Sequence, residues 1–195
     1  MHPVEVYIRE RIDPPQREID QLIARMKTRT LQRGENFCEM GQEHHELGLL
    51  LKGKMRVFTL SEDGDDLTMD FIFPVNPVAS LAAATMGEPS RVTIVALEEC
   101  ELGVWPFGIR DELIAHGDRS WMKLIQMELD AVFRRKSQFV ISRQSKDAAA
   151  RYREALKMFP PSAMKLPQYH LASYLGILPQ SLSRIRARLS RKKKG

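Results

Sequence analysis

Residues 166–195, LPQYHLASYLGILPQSLSRIRARLSRKKKG, constrain the fold more than any other stretch of this 195-residue chain. Two short helical patterns, each opened by a proline, flank a glycine. The first runs from about Pro167 to Leu175, with proline at an early helical position where its missing N–H costs nothing. Leu171, Ala172 and Leu175 fall on one face of it. Gly176 stands at the turn, where positive φ is easiest for glycine. The second pattern starts near Pro179, and Leu182, Ile185 and Leu189 recur at i, i+3 and i+7, so one face packs inward. The opposite face carries Gln180, Ser181, Ser183, Arg184, Ala187 and Arg188. The spacing predicts a helix-turn-helix with a basic second helix. Short polar side chains and arginine are the groups that reach base edges and phosphates in a DNA major groove.

An ordinary helical hairpin with a solvated charged face has the same spacing, and the charge distribution separates the two readings. No acidic residue follows Glu154, whereas Lys157, Lys165, Arg184, Arg186, Arg188, Arg191, Lys192, Lys193 and Lys194 are all basic. Residues 119–195 hold 18 Lys and Arg against 4 Asp and Glu, a net of +14. Residues 1–118 hold 12 against 21, a net of −9. The overall +5 therefore conceals a chain that is acidic in front and basic behind. A basic half of this kind is an electrostatic footprint for polyanions, and double-stranded DNA is the expected partner.

A chain of this length builds one large or two small domains, and the charge break near residue 118 favours two. No apolar run approaches the roughly 20 residues of a membrane span, so no membrane partner is expected. His2, Glu5, Arg9 and Glu10 stand where an export signal would be apolar. Cys38 and Cys100 form neither a disulfide framework nor a Cys-x-x-Cys metal pattern. They read as two small, semi-buried thiols in a reducing cytoplasm.

Upstream of the basic half the periodicity changes twice. Residues 14–27 look helical, with Ile19, Leu22, Ile23 and Met26 at helical spacing. From about Thr28 to Val104, short apolar runs alternate with turn residues. Leu47 to Leu51, Met55 to Leu60, Leu67 to Phe73, Arg91 to Leu97 and Glu101 to Trp105 read as strands. Asp63-Gly64 marks a hairpin. Several short strands at close spacing suggest a β-barrel or jelly roll. From about Phe107 the chain turns helical again. Met122, Ile125, Leu129, Val132 and Phe139 form a heptad-like seam in which Lys136 occupies the missing step. Trp121, Leu124, Phe133 and Val140 form a second stripe beside it. One stripe is expected to lie on the barrel and the other to meet a partner subunit; burial of both within one chain is the alternative. Ser145 is expected to cap the next helix, from Asp147 to about Phe159, which Pro160-Pro161 ends.

Helix, β-roll, long helix and helix-turn-helix, in this order, resemble the cyclic-AMP receptor protein/FNR family of bacterial transcription factors. The two local anchors are residues 96–102, ALEECEL, similar to the end of the family's ligand-binding roll, and residues 174–185, YLGILPQSLSRI, similar to its helix-turn-helix. The resemblance implies an α+β fold: a jelly-roll effector domain over 1–118, a dimerisation helix over 119–143 and an all-α DNA-binding domain over 144–195. It implies a homodimer on DNA, with RNA polymerase as a further partner and an unknown small-molecule effector or none.

The resemblance weakens at the effector site. Members that bind cyclic AMP carry a Gly-Glu pair and, about ten residues later, an Arg-Ser or Arg-Thr pair whose arginine neutralises the cyclic phosphate. Counting back from Cys100-Glu101 places Ala79-Ser80 and Ser90-Arg91 at these positions. Ala79 adds a methyl where backbone must come close, Ser80 lacks the carboxylate, and Arg91 is one position late, which on a strand points it to the other face. The expected outcome is weak or absent binding of cyclic AMP. The remaining pocket would be formed around Val78, Ala79, Ser80, Leu81, Ser90 and Arg91, with a small apolar floor continuing through Ala82, Ala83 and Ala84. A packed, ligand-free roll is the alternative. Two cysteines are too few for an iron–sulfur sensor. His44, His45 and His116 are available as haem ligands but read as solvated residues of loops and helix ends, so no cofactor is expected.

At the DNA-binding end, Leu178 lies where a Ser or Thr cap is expected. Only Ser190 to Gly195 follow Leu189, so the wing usual in the family is expected to be missing. Gln180, Ser181 and Arg184 are the candidates for base edges. Ser183, Arg188, Arg191, Lys192, Lys193 and Lys194 are the candidates for phosphates. A sensor or protein-interaction module with a degenerate DNA-binding domain is the second reading. An enzyme on a cupin-like roll is disfavoured, because such rolls need clustered His and carboxylate metal ligands on strands, and no later strand adds a histidine to His44-His45.

Overall fold

The computed structural model describes residues 1–192. In chain order the elements are α1 (Pro3–Arg9), α2 (Gln16–Ala24), β1 (Lys27–Leu31), β2 (Asn36–Cys38), β3 (Glu46–Lys52), β4 (Met55–Leu60), β5 (Asp66–Ile72), β6 (Asn76–Val78), α3 (Leu81–Met86), β7 (Thr93–Ala96) and β8 (Cys100–Pro106). Then follow α4 (Gly108–His116), α5 (Arg119–Ser145), α6 (Ala148–Met158), a 3-10 turn (Pro161–Lys165), α7 (Gln168–Leu175) and α8 (Pro179–Lys192). They gather into two compact units. The first takes Met1–Thr59 and Asp70–Ala131; the second takes Leu60–Met69 and the chain from Val132 onward.

The first unit is built on two four-stranded sheets, in the orders β1-β8-β3-β6 and β2-β7-β4-β5. β8 is the spine of one sheet, pairing antiparallel with β1 and with β3. The β3–β8 ladder shifts register between Leu50 and Lys52, just before the turn at Gly53. That turn requires glycine twice over. Its φ is +94°, and a Cβ there would lie 2.5 Å from the Glu99 carbonyl oxygen. The inner faces of the two sheets meet at Gly48, where an added Cβ would lie 3.4 Å from the Phe37 ring. The small residue is the match for the large one across the roll.

A second apolar cluster, of helices on the roll, completes this unit. Val4, Tyr7, Ile8 and Ile12 join Ile19 and Leu22 of α2, Leu49, Trp105, Ile109, Trp121 and Leu124. Helix α1 was not legible in the sequence reading. It is two turns long, begins with Pro3 and is capped by His2, whose Nδ1 accepts from the Val4 amide at 3.2 Å. Trp105 Nε1 donates to the Leu22 carbonyl at 2.8 Å, and Trp121 Nε1 donates to Glu18 at 2.6 Å. The helical stretch expected from Phe107 is two helices broken at Gly117, after which the Asp118 carboxylate accepts from the Ser120 amide at the start of α5.

In the second unit, α6 and α7 bury Ala149, Tyr152, Ala155, Leu171, Ala172, Tyr174 and Leu175. Tyr174 lies between Phe139 and Phe159, with ring centroids 5.2 and 5.3 Å away. The cap of α6 differs from the sequence expectation. Asp147, not Ser145, accepts from the Ala150 amide at 2.7 Å, while Ser145 is still in α5 and donates to the Ile141 carbonyl. An aspartate placed directly before the helix has the N-cap geometry that a serine two residues earlier lacks.

Candidate nucleic-acid interface

The geometry of residues 167–192 follows from three local features. Gly176 adopts φ +64° and ends α7, and the Ile177 amide reaches back to the Ala172 carbonyl at 3.0 Å, the six-to-one bond of a Schellman end. Arg151 Nε donates to the Leu175 carbonyl at 3.0 Å and satisfies another open acceptor of that helix end. Pro179 then starts α8, and the Leu178 carbonyl accepts from the Ser181 and Leu182 amides. The residue before α8 is Leu178, which has no hydroxyl to cap it. Leu178 is 70% exposed, and Gln168 donates to the Pro179 carbonyl at 2.7 Å, a bond that ties α7 to the start of α8 without capping its amides.

Helix α8 separates into two faces. Leu182 is fully buried, with Ile185 and Leu189 half-buried on the same side. Gln180, Ser183, Arg184, Ala187 and Arg188 are exposed, and Ser181 is half-buried. Arg186 is drawn inward, its Nε 3.3 Å from the Tyr152 hydroxyl and its guanidinium over that ring. The exposed face therefore presents two guanidinium groups, an amide and a hydroxyl on a rigid support. Arg191 and Lys192 complete α8, and Lys193 and Lys194 lie outside the described residues. Among the described residues no strand follows α8.

The candidate effector residues differ in exposure. Val78, Ser80 and Ser90 are buried, whereas Leu81 is 39% exposed. The Ser90 hydroxyl donates to the Val92 carbonyl at 2.6 Å, and Ser80 Oγ is buried with no hydrogen-bond partner. Arg91 is exposed and pairs with Glu88 at 2.6 Å, so its guanidinium points out of the roll. Arg56 on β4 is buried, 3% exposed, with its guanidinium 4.5 Å from the Phe58 ring centroid, on the strand face opposite the core residues Met55 and Val57. Sequence reasoning passed over it. An arginine inside the apolar run of a β-strand was the signal, since buried arginines are rare.

On α5, Trp121 and Leu124 of the second stripe are buried in the first unit, but Phe133 and Val140 of that stripe are exposed. Of the heptad seam, Met122 and Leu129 are exposed and Ile125, Val132 and Phe139 are half-buried. The two stripes thus do not divide cleanly into an inner and an outer one. No group of three His, Cys, Asp or Glu able to hold a metal occurs among the described residues. His44 sits against the Phe37 and Phe107 rings, and His45 is exposed beside Glu43. No helix among the described residues is long and apolar enough to cross a membrane.

Comparisons with known proteins agree with this architecture. Residues 28–116 match the family described as cyclic nucleotide-binding domain. No curated protein matches the chain. Among solved structures, FixK2 from Bradyrhizobium japonicum superposes with a TM-score of 0.74 at 14% identity, covering 86% of each chain. The c-di-GMP-responsive global regulator CLP of Xanthomonas campestris superposes with a TM-score of 0.70 at 13% identity, covering 92% of this chain and 93% of that one. CooA from Carboxydothermus hydrogenoformans, as a double mutant, gives 0.70 at 14% identity over 88% and 79%. Residues 28–116 are thus similar to the cyclic nucleotide-binding domain, and the chain shares its fold with FixK2, CLP and CooA.

Proposed function

We propose that this chain regulates transcription by binding DNA as a homodimer, with a roll that no longer takes cyclic AMP. The reading rests on α8: Gln180, Ser183, Arg184 and Arg188 are exposed together on a helix whose other side is anchored by the buried Leu182. Gln180, Ser181 and Arg184, on the first turns of that helix, are the groups for base edges. Ser183, Arg188, Arg191 and the lysines after it serve phosphates, which set affinity rather than sequence choice. The roll over 1–118 would be the sensor, residues 119–143 the dimerisation helix and residues 144–195 the DNA-binding part. In the dimer, Met122, Ile125, Leu129, Val132 and Phe139 meet their counterparts. The proposed loss of cyclic AMP binding is supported by Ala79 at a glycine position and by the outward pairing of Arg91 with Glu88.

Binding to a random-sequence duplex at two salt concentrations tests the first half of this reading. Affinity should fall steeply with salt, and Arg188→Ala should weaken binding to every duplex and lower the logarithmic salt slope by about 1. Salt-independent or absent binding would contradict it. Calorimetry with 1 mM cyclic AMP (a probe concentration of about 1 mM suffices to see weak sites) should give no heat; a micromolar dissociation constant would contradict the second half.

A further inference from the structure

The β4–β5 hairpin ends in an acidic tip that belongs to the same compact unit as α7 and α8. Residues 61–66 read Ser-Glu-Asp-Gly-Asp-Asp, and Glu62, Asp63 and Asp65 are exposed. The tip is well ordered by its own bonds. The Ser61 amide donates to the Asp65 carbonyl at 2.9 Å, and the Asp65 amide returns to the Ser61 hydroxyl at 3.1 Å. Gly64, at φ +85°, makes the reversal.

One side chain ties this hairpin to the helix-turn-helix. β5 is an edge strand, so the backbone groups on its outer side have no ladder partner. Ser173 of α7 supplies one. Its hydroxyl accepts from the Thr68 amide at 2.9 Å and donates to the Asp66 carbonyl at 3.2 Å. Residues 66 and 68 are two apart on an antiparallel-paired strand, so these two groups face the same edge. A hydroxyl is both donor and acceptor, and it fills the gap between them as a neighbouring strand would. Thr68 is 1% exposed, so without Ser173 its amide would be left buried.

The electrostatic consequence is local. Between Val132 and Lys192 the sequence holds two acidic residues, Asp147 and Glu154. Both are committed: Asp147 caps α6, and Glu154 binds Lys146 and the Ser142 hydroxyl. Glu62, Asp63 and Asp65 are therefore the main exposed negative charge of a unit that is otherwise strongly basic. Ser173 joins the hairpin to α7, the helix packed on α8. At low salt, where the Debye length grows to about 30 Å at 0.01 M, the field of the tip carboxylates extends across a unit of this size.

We propose that Ser173 latches the acidic hairpin tip to the DNA-binding unit, and that the latched tip lowers affinity for DNA by repelling phosphates. This rests on the DNA-binding reading and names how that same surface is held back. The latch is a positioning contact; the carboxylates carry the effect. Any event that frees the hairpin from Ser173 would raise DNA affinity without changing α8.

A double-mutant cycle tests it, with binding to a random-sequence duplex as the readout. The charge-neutral hairpin, Glu62→Gln with Asp63→Asn and Asp65→Asn, alters exposed positions only and should bind about threefold tighter or more at low salt. Ser173→Ala should produce a similar gain in the native hairpin and none in the neutral one, because the two changes remove the same repulsion. A loss of affinity in Ser173→Ala, or an equal effect in both backgrounds, would overturn the proposal. Amide exchange separates the latch from the DNA reading. The Thr68 amide should exchange faster in Ser173→Ala than in the native chain, whether or not DNA binds. Unchanged exchange would refute the latch. If exchange responds but no form of the chain binds DNA, the DNA reading fails and the repulsion fails with it.

Discussion

Gly176 shows how a single residue sets the turn between α7 and α8. At φ +64° an L side chain is strained, and a Cβ there would come within 2.7 Å of the Arg143 guanidinium. The guanidinium can swing away, so the backbone conformation carries the cost. Gly176→Ala should destabilise the chain by about 1–2 kcal/mol in chemical denaturation; an unchanged midpoint would mean that the turn relaxes. Leu182 is the complementary case, because it anchors α8 by burial alone. Leu182→Ala should cost about 2–5 kcal/mol and reduce DNA binding without touching an exposed group. Arg184 and Arg188 separate two roles on the exposed face. Arg184→Ala should relax base preference at one position per half-site, whereas Arg188→Ala should weaken all sequences alike. The reverse pattern, read from binding to a panel of single-base variants, would exchange the assignments.

At the scale of elements, what was legible in the sequence was whatever has a period or a punctuating residue. The α7–turn–α8 pattern shows itself through Gly176, Pro179 and the spacing of Leu182, Ile185 and Leu189, and its boundaries agree with the structure within a residue. β3, β4, β5 and β8 were visible for the same reason. β2 and β6, three residues each, are too short to carry a period, and α1 is too short to stand out from a loop. Ser173 was invisible for a different reason: its partners Asp66 and Thr68 are about a hundred residues away in the chain, and a serine inside a helix advertises nothing. Arg91, expected at the start of a strand, lies instead in the bend before β7, so its outward direction comes from that bend and its pairing with Glu88 rather than from strand alternation. The loop before β3 also makes a pH prediction. Burial against Phe37 and Phe107, with a smaller push from Arg29 and His45, lowers the His44 pKa below its ordinary 6.5, against the pull of Glu46. The unfolded chain then binds the proton first, so stability is full above the ordinary value and declines as pH falls through it. Thermal unfolding should show this decline between about pH 7 and 5, and His44→Phe should flatten it. An identical slope in the variant would remove His44 from the account.

Over the whole molecule, the proposed assembly on a polyanion rests on charge and exposed apolar surface. The basic half lies after residue 118, and Met122, Leu129, Phe133, Val140 and Ile141 leave α5 with an apolar surface open to solvent in a single chain. Contiguous exposed apolar surface of this kind marks an interaction site. Leu129→Asp together with Phe133→Asp should shift sedimentation from dimer to monomer and weaken DNA binding, because each half-site alone is held by one recognition helix. A native chain that sediments as a monomer, or a doubly substituted chain that remains a dimer, would contradict an interface on α5. The most direct measurement is selection of bound duplexes from a random library. A dimer presenting two copies of α8 predicts an enriched site with two-fold symmetry and half-sites about 34 Å, one helical turn, apart. Enrichment of no sequence, with binding that depends on salt alone, would contradict sequence-specific recognition by α8.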